Sequence, residues 1–295
     1  MIKNYLSLLR PHQYLKNLFI FMPLIFSLNI TNIELALKSL IAFIAFSLIA
    51  SAIYIINDIK DLNEDKNHPT KKLRPITSGK ITVNNALKIM SVLLCSGLSI
   101  AYILNIYFLL ILSGYLIMNL LYSFKLKHIA IIDIIIIAVG FVLRVFSGAI
   151  VINVPASEWL IIMTFLLALF LALAKRRDDV LLSTTENIQT RKNIDGYNLD
   201  FINASMIIMA SIVIVAYIMY TVSNQTLEKF NSEYLYLSTI FVITGLIRYL
   251  QITLVENNSG SPTNILIKDR FLQITIILWL VTCSLMIYWN RIIGY

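Results

Sequence analysis

"SLIAFIAFSLIASAIYIINDIKDLNED", residues 39–65, runs from an uninterrupted apolar stretch straight into a cluster of acids. The apolar part belongs to a run over about 35–57, and ~18 or more such residues are enough to cross the hydrocarbon of a bilayer as one helix. Runs of this kind recur along the 295-residue chain, which is 58% hydrophobic and 14% charged. Its mean hydropathy is +0.79, whereas a soluble domain is nearer about half apolar and a quarter charged. Strand alternation is absent, and a membrane barrel does not show continuous apolar segments. The chain therefore reads as an all-α membrane protein, a single polytopic domain over 1–295 built as a bundle of about nine transmembrane helices. The expected spans are approximately 14–30, 35–57, 83–104, 106–124, 129–152, 158–175, 203–222, 234–254 and 271–292. The opening ten residues show no small-residue cleavage pattern, so no removable signal peptide is expected.

The formal net charge is +8, but its distribution points to topology rather than to nucleic acid. Lys3, Arg10 and Lys16 precede or open the first span. Lys60, Lys66, Lys71, Lys72, Arg74, Lys80 and Lys88 lie in or beside the loop after the second. Lys125 and Lys127 follow the fourth, Lys175, Arg176, Arg177, Arg191 and Lys192 the sixth, and Lys268 and Arg270 precede the ninth. Alternating spans put all of these on one side, against Lys38, Lys229 and Arg291 on the other. Basic residues collect in cytoplasmic loops, so the amino terminus and the even-numbered loops are expected in the cytoplasm, with the protein in the inner membrane. Cys95 and Cys283 lie within apolar runs and read as packing residues, without a disulfide or metal signature.

Two loops on the cytoplasmic side, roughly 58–82 and 176–202, are long and carry acids as well as bases. Topological loops need no acids, so these are the candidate functional segments, expected to form a cytoplasmic active-site cap. A helix that continues past the second span places Asp58, Asp61 and Asp65 at i, i+3 and i+7, within roughly 60° of one another. Ser51 and Tyr54 extend the same stripe into the span. Like charges stacked beside a low-dielectric membrane are costly unless a cation sits among them. Hard oxygen ligands without His or Cys select Mg²⁺, with Mn²⁺ as the alternative, and Mg²⁺ held by a few carboxylates commonly bridges to substrate phosphates. Pro69, Pro75 and Gly79 then break the helix, setting Lys71, Lys72 and Arg74 in a turn able to fold back on the acids. His68 is the one residue there that could act as a base, though a histidine before proline is more often merely exposed. The plainer reading of the segment is a solvated, charged helix end. The second segment, "KRRDDVLLSTTENIQTRKNIDGYN" at 175–198, sets Lys175, Asp179 and Glu186 on one helix face. Arg191 and Lys192 add cation density, and an ordinary amphipathic loop is its equally weighted reading.

Three further charges, Asp133, Arg144 and Arg248, lie in or at the ends of apolar spans, where charges face the bundle interior or a cavity. A structural ion pair, Asp133 with an arginine, is the favoured reading. Tyr122 and Lys125, at the end of the fourth span, are better placed for substrate.

The pattern N-D-x-x-D-x-x-x-D at Asn57–Asp65 resembles the UbiA superfamily of intramembrane prenyltransferases. "RPHQYLKN" at 10–17 and "HPTKKLRP" at 68–75 make the chain similar to the decaprenyl-phosphate phosphoribosyltransferase branch. The likeness continues through "LYSFKLKHIAIIDIIIIAVGFVLRVFSGA" (121–149), "AKRRDDV" with "RKNIDGY" (174–180 and 191–197), "IRYL" (247–250) and "IKDRFLQ" (267–273). The resemblance implies transfer of 5-phosphoribose from 5-phosphoribosyl 1-diphosphate to a polyprenyl phosphate, with release of pyrophosphate. Asp58 and Asp61 would be catalytic, and Asn57, Asp58, Asp61 and Asp65 would form the metal set. Lys16, Asn17, Tyr54, Lys71, Lys72, Arg74, Tyr122, Lys125, Lys175, Arg176, Asp179, Arg191 and Lys192 would contact substrate. The implied partners are the two phosphate substrates and membrane lipid, with a homo-oligomer compatible and no nucleic acid. An incoming phosphate is already an anionic nucleophile, so a site without a histidine base suits that chemistry. Where ordinary members of the superfamily carry a second carboxylate-rich motif, this chain keeps Asp179 and Glu186 with a basic cluster around them. The alternative reading is a polyprenyl diphosphate transferase to an aromatic acceptor such as 4-hydroxybenzoate; a lipid-phosphate carrier without chemistry is a third.

Overall fold

The structure is a computed structural model that describes residues 2–66, 71–185, 196–257 and 262–293. His68, Glu186, Arg191 and Lys192 lie outside the described residues. Among the described residues the regular structure is helical, with no strand. The α-helices are α1 (Ile2–Leu9), α2 (Met22–Phe26), α3 (Ile33–Lys60), α4 (Leu62–Lys66), α5 (Val83–Leu104), α6 (Ile106–Phe124) and α7 (Ile132–Val151). They continue with α8 (Glu158–Thr185), α9 (Leu199–Val222), α10 (Asn224–Phe230), α11 (Thr239–Leu254), α12 (Pro262–Lys268) and α13 (Arg270–Ile293). Eight helices among the described residues are long and apolar enough to cross a membrane: α3, α5 to α9, Leu235–Leu254 containing α11, and α13. The protein is an all-α, multi-pass membrane protein.

The difference from the expected nine spans falls on 14–30. That stretch is a 3-10 helix, Pro11–Phe21, followed by the five-residue α2. Pro23 explains the break: it has no N–H to give, and in an α-helix its ring would meet the carbonyl of residue 19. Side chains anchor the tighter segment instead. The Tyr14 hydroxyl lies 2.8 Å from Ser51 Oγ, and Asn17 Nδ2 donates to Ser47 Oγ at 2.8 Å.

The chain forms two compact units, residues 1–127 with 139–157, and residues 128–138 with 158–295. In the first, α3 is the central element. Asn32 caps its start by accepting from the Leu35 N–H at 3.2 Å, and Ile20, Phe46, Ile49, Phe108 and Leu112 are buried in the cluster that packs on it. A second cluster of Leu8, Ile55, Ile76, Ile81 and Ala86 lies beneath the acid-bearing end. Gly148 of α7 lets the 3-10 segment approach closely, since a Cβ there would stand 2.0 Å from the Ile20 carbonyl oxygen. In the second unit, Phe170, Ile202, Met206, Leu246, Tyr249 and Leu272 form the core. Many large apolar side chains of both units are exposed, Ile103 and Ile247 among them. In a chain of this hydropathy that surface is what hydrocarbon covers.

Candidate active site

Asp58 sits in the last turn of α3, Asp61 ends that helix, and α4 carries Asp65. The backbone bonds continue across the junction: Asp61 N–H donates to Asn57 O at 2.9 Å and Asp65 N–H to Asp61 O at 2.8 Å. The helical register expected of the three acids is thus present, and each acid is engaged by a cation. Arg10 Nη2 lies 2.5 Å from Asp58 Oδ1. Arg74 Nη1 reaches the same oxygen at 3.0 Å and also bonds Asp65 Oδ2. Lys127 Nζ is 2.7 Å from Asp61 Oδ1. Three carboxylates thus face three cations within the protein. Burial pushes the Asp65 carboxyl up from its ordinary value, against the pull of Arg74 and Lys71.

Arg10 is held in place by its backbone. It adopts a left-handed conformation, φ 54 and ψ 55, which a non-glycine residue reaches only when its surroundings demand it. The following Pro11 disfavours the right-handed alternative, and the Tyr54 ring lies 5.2 Å from the guanidinium. Arg74 stands where the Pro75 turn brings it back on the acids, with Gly79 closing the loop at φ 73.

Asp58 is buried, and its second oxygen, Oδ2, has no hydrogen-bond partner among the described residues. A buried carboxylate oxygen left bare is costly, and a hard cation is its natural complement. The residues therefore fit a divalent ion such as Mg²⁺ at Asp58. Among the described residues no three acids, histidines or cysteines come together as a metal site of their own. Such an ion would take its remaining ligands from water and from an anion that arrives with it. Asn57 Oδ1, another of the four expected ligands, accepts from the Ser123 hydroxyl.

Below this end a polar stripe follows α3 through Tyr54, Ser51 and Ser47, at the helical spacings of three and four that keep residues on one face. At its foot lies Arg144 of α7, buried, donating from Nε to Asn17 Oδ1 at 2.8 Å and from Nη2 to the Tyr115 hydroxyl at 3.0 Å. Of the other expected residues of the first unit, Lys16, Lys71 and Tyr122 are half-buried, while Lys72 and Lys125 are exposed.

In the second unit Asp133 pairs with an arginine, and the partner is Arg176: Nε lies 2.5 Å from Asp133 Oδ2. Arg176 also bonds Asp179. The Tyr197 hydroxyl donates to Asp133 Oδ1 at 2.7 Å and accepts from the Ile131 N–H at 2.7 Å. Burial and the Asp133 carboxylate push that hydroxyl up, which keeps it a donor. Arg176 and Asp179 are thus tied into an internal network, which contact with substrate would have to open. Arg248 pairs with Asp269 at 2.7 Å and Glu256 at 2.8 Å. Lys175 is half-buried.

Sequence reading assigns Arg10 and Lys127 only to the charge asymmetry, and Ser123 and Tyr115 to nothing. The opening "RPHQYLKN" contains the one local sign, an arginine before proline ahead of two further polar positions.

The model of the UbiA prenyltransferase family matches residues 20–264. The chain belongs to that family. This UbiA-family chain is 28% identical over 301 residues to the decaprenyl-phosphate phosphoribosyltransferase of Mycolicibacterium smegmatis, covering 98% of this chain and 94% of that protein. The protein of the same name from Mycobacterium tuberculosis is 27% identical over 286 residues, 96% of this chain and 93% of its own length. Among solved structures, a UbiA homologue from Archaeoglobus fulgidus bound to DMAPP and Mg²⁺ superposes with a TM-score of 0.70 at 19% identity. That match covers 96% of this chain and 99% of the homologue. The membrane-embedded helical fold is therefore that of the UbiA family, and the protein is a UbiA-type transferase.

Proposed function

We propose that the protein transfers 5-phosphoribose from 5-phosphoribosyl 1-diphosphate to a polyprenyl phosphate, releasing pyrophosphate, from the cytoplasmic face of the inner membrane. The observation that carries the reading is the Asp58 site: a buried carboxylate with one oxygen bare among the described residues, surrounded by Arg10, Arg74 and Lys127. The near full-length likeness to decaprenyl-phosphate phosphoribosyltransferases supports it.

In this reading Asp58 and Asp61, with Asp65 and Asn57, would hold Mg²⁺ once their cations turn away, and the ion would supply charge neutralisation for the leaving diphosphate. Arg10, Arg74 and Lys127 turn from the carboxylates to phosphate oxygens, so cations already in place take up the charge that develops on the leaving group. Lys71 and Lys72 extend that field, and Lys16, Asn17 and Tyr54 line the stripe below. Tyr122, Lys125, Lys175, Arg176, Asp179, Arg191 and Lys192 remain the proposed outer contacts. An acceptor phosphate oxygen forms the new bond to the anomeric carbon, and the bond to the diphosphate breaks with its electron pair leaving on pyrophosphate. No proton needs to move. Rate then comes from holding two anions within reach of each other.

The test is a paired assay on purified protein with Mg²⁺. Radiolabelled 5-phosphoribosyl diphosphate with undecaprenyl or decaprenyl phosphate is expected to send label into the organic phase, and EDTA to abolish it. The second arm offers a polyprenyl diphosphate and 4-hydroxybenzoate, the chemistry the family's prenyltransferase name favours. Product in that arm alone would overturn the phosphoribosyl reading.

A further inference from the structure

Arg144 is buried in the middle of an apolar span, yet among the described residues no carboxylate pairs with it. Its three recorded acceptors are neutral: Asn17 Oδ1, the Tyr115 hydroxyl and the Gly140 carbonyl at 2.6 Å. Three aromatic faces enclose the guanidinium, Phe46 at 4.8 Å, Tyr115 at 5.0 Å and Phe141 at 5.3 Å. Such contacts satisfy N–H groups and soften the charge without cancelling it. An arginine has five N–H donors, so the three bonds leave two without an acceptor among the described residues. Of the other charges in or beside apolar spans, Asp133, Arg176 and Arg248 each have an opposite charge in contact, whereas buried Arg177 is held by neutral acceptors on Asn203, Thr253 and Asn257 with the Asp178 carboxylate acting on it.

A second cation adds to the imbalance. Lys16, half-buried one residue before Asn17, has no ion pair or hydrogen bond among the described residues, and it feels the positive charges of both Arg144 and Arg10. Two neighbouring cations at membrane depth without an anion are expensive to maintain, and an anion that binds between them recovers that cost. Both belong to the polar stripe that leads up to the acids. Ser47, beside Asn17, and Asp58 are separated by eleven residues of one helix, about 16 Å at a rise of about 1.5 Å per residue.

The geometry points to Lys16 and Arg144 as the seat of the phosphate monoester of a lipid acceptor, with Asn17 and Tyr115 positioning the guanidinium. The inference rests on the phosphoribosyl-transfer reading for its choice of anion. A headgroup phosphate and a free phosphate share the chemistry that these cations recognise, but depth separates them. The site lies within a span and is walled by Phe46, Phe141 and Tyr115, which suits an anion carried on a prenyl chain. The polar sugar diphosphate keeps to the Asp58 end. Donor and acceptor then load on one stripe, and for transfer the acceptor phosphate has to advance from this seat towards the Asp58 end until its oxygen is within bonding reach of the anomeric carbon.

The test uses the full-length protein in detergent with farnesyl phosphate, farnesol and inorganic phosphate as probes, without Mg²⁺ or sugar donor. Calorimetric titration is expected to show binding of farnesyl phosphate alone. Lys16→Met and Arg144→Lys are each expected to weaken it roughly 10- to 100-fold, the scale of one lost charge-assisted hydrogen bond. Lys16→Arg is expected to restore it. In turnover, Lys16→Met should raise KM for the acceptor by a similar factor and leave KM for the sugar donor unchanged. Unaltered farnesyl phosphate affinity in Lys16→Met would overturn the site, and that variant decides the matter if Arg144→Lys fails to fold. Inorganic phosphate binding as tightly as farnesyl phosphate, or an effect confined to donor KM, would overturn the lipid assignment. Wild-type protein that binds farnesyl phosphate through Lys16 but transfers no ribosyl phosphate to a polyprenyl phosphate would keep the anion site and overturn the functional reading alone.

Discussion

Asp58 and Arg74 carry opposite halves of the same problem. Asp58 offers a bare, buried oxygen, so Asp58→Asn removes the charge that attracts a divalent ion while keeping the shape. Turnover is expected to fall by about 100-fold or more, the scale of losing one preorganised electrostatic group, with the elution profile in detergent unchanged. Retention of near wild-type rate would remove Asp58 from the metal set. Arg74 is shared between Asp58 and Asp65. Arg74→Ala should raise KM for the sugar diphosphate by roughly tenfold, since a phosphate contact is lost in ground and transition state alike; a change confined to the lipid acceptor would contradict that role. The acids were legible in the sequence because helical backbone bonds that continue from α3 into α4 space them. Their partners were not. Arg10 is 48 residues from Asp58 and Lys127 is 66 from Asp61, and one sequence carries no local periodicity that links such positions.

At the scale of elements, hydropathy located the long helices well because each needs its own apolar length: the expected 35–57 lies within α3, Ile33–Lys60. It failed at 14–30 because a hydropathy sum does not register the chain geometry that Pro11 and Pro23 impose. The close crossing of that segment with α7 gives a test. Gly148→Ala would drive a Cβ into the Ile20 carbonyl and should cost about 1–3 kcal/mol, the range for overpacking, seen as earlier thermal unfolding in detergent. An unchanged unfolding profile would mean that the two segments do not touch there. In the second unit, Arg176→Met leaves the buried Asp133 carboxylate without its cation and is expected to cost about 3–5 kcal/mol, partly restored by adding Asp133→Asn. The pairing of an intramembrane Asp133 with an arginine was foreseeable from cost alone; that Tyr197 returns to the same carboxylate was not, because a tyrosine after a polar loop has many equivalent uses.

Across the whole molecule the strongest sequence signal is the one-sided distribution of Lys and Arg, which sets orientation through insertion rather than through any contact in the folded state. With a maleimide that does not cross membranes, Lys80→Cys in intact cells should stay unlabelled until the membrane is opened. Tyr107→Cys, in the first turn of α6 just past the other end of α5, should label at once. The background is Cys95→Ser with Cys283→Ala. The reverse pattern would turn the protein over and put the Asp58 site outside. Orientation gives the depth of Arg144 an electrical meaning. An anion that travels from the Asp58 end to the level of Ser47 crosses roughly half of a ~30 Å hydrocarbon layer, and so part of the voltage drop. At ~2.3 kcal/mol per charge per 100 mV for a full crossing, seating a lipid phosphate there is an electrogenic step of about 1 kcal/mol per 100 mV. With the Asp58 end on the cytoplasmic side, a cell interior held negative would drive a lipid phosphate towards Arg144, so the membrane potential itself would tune how readily this enzyme loads the proposed acceptor.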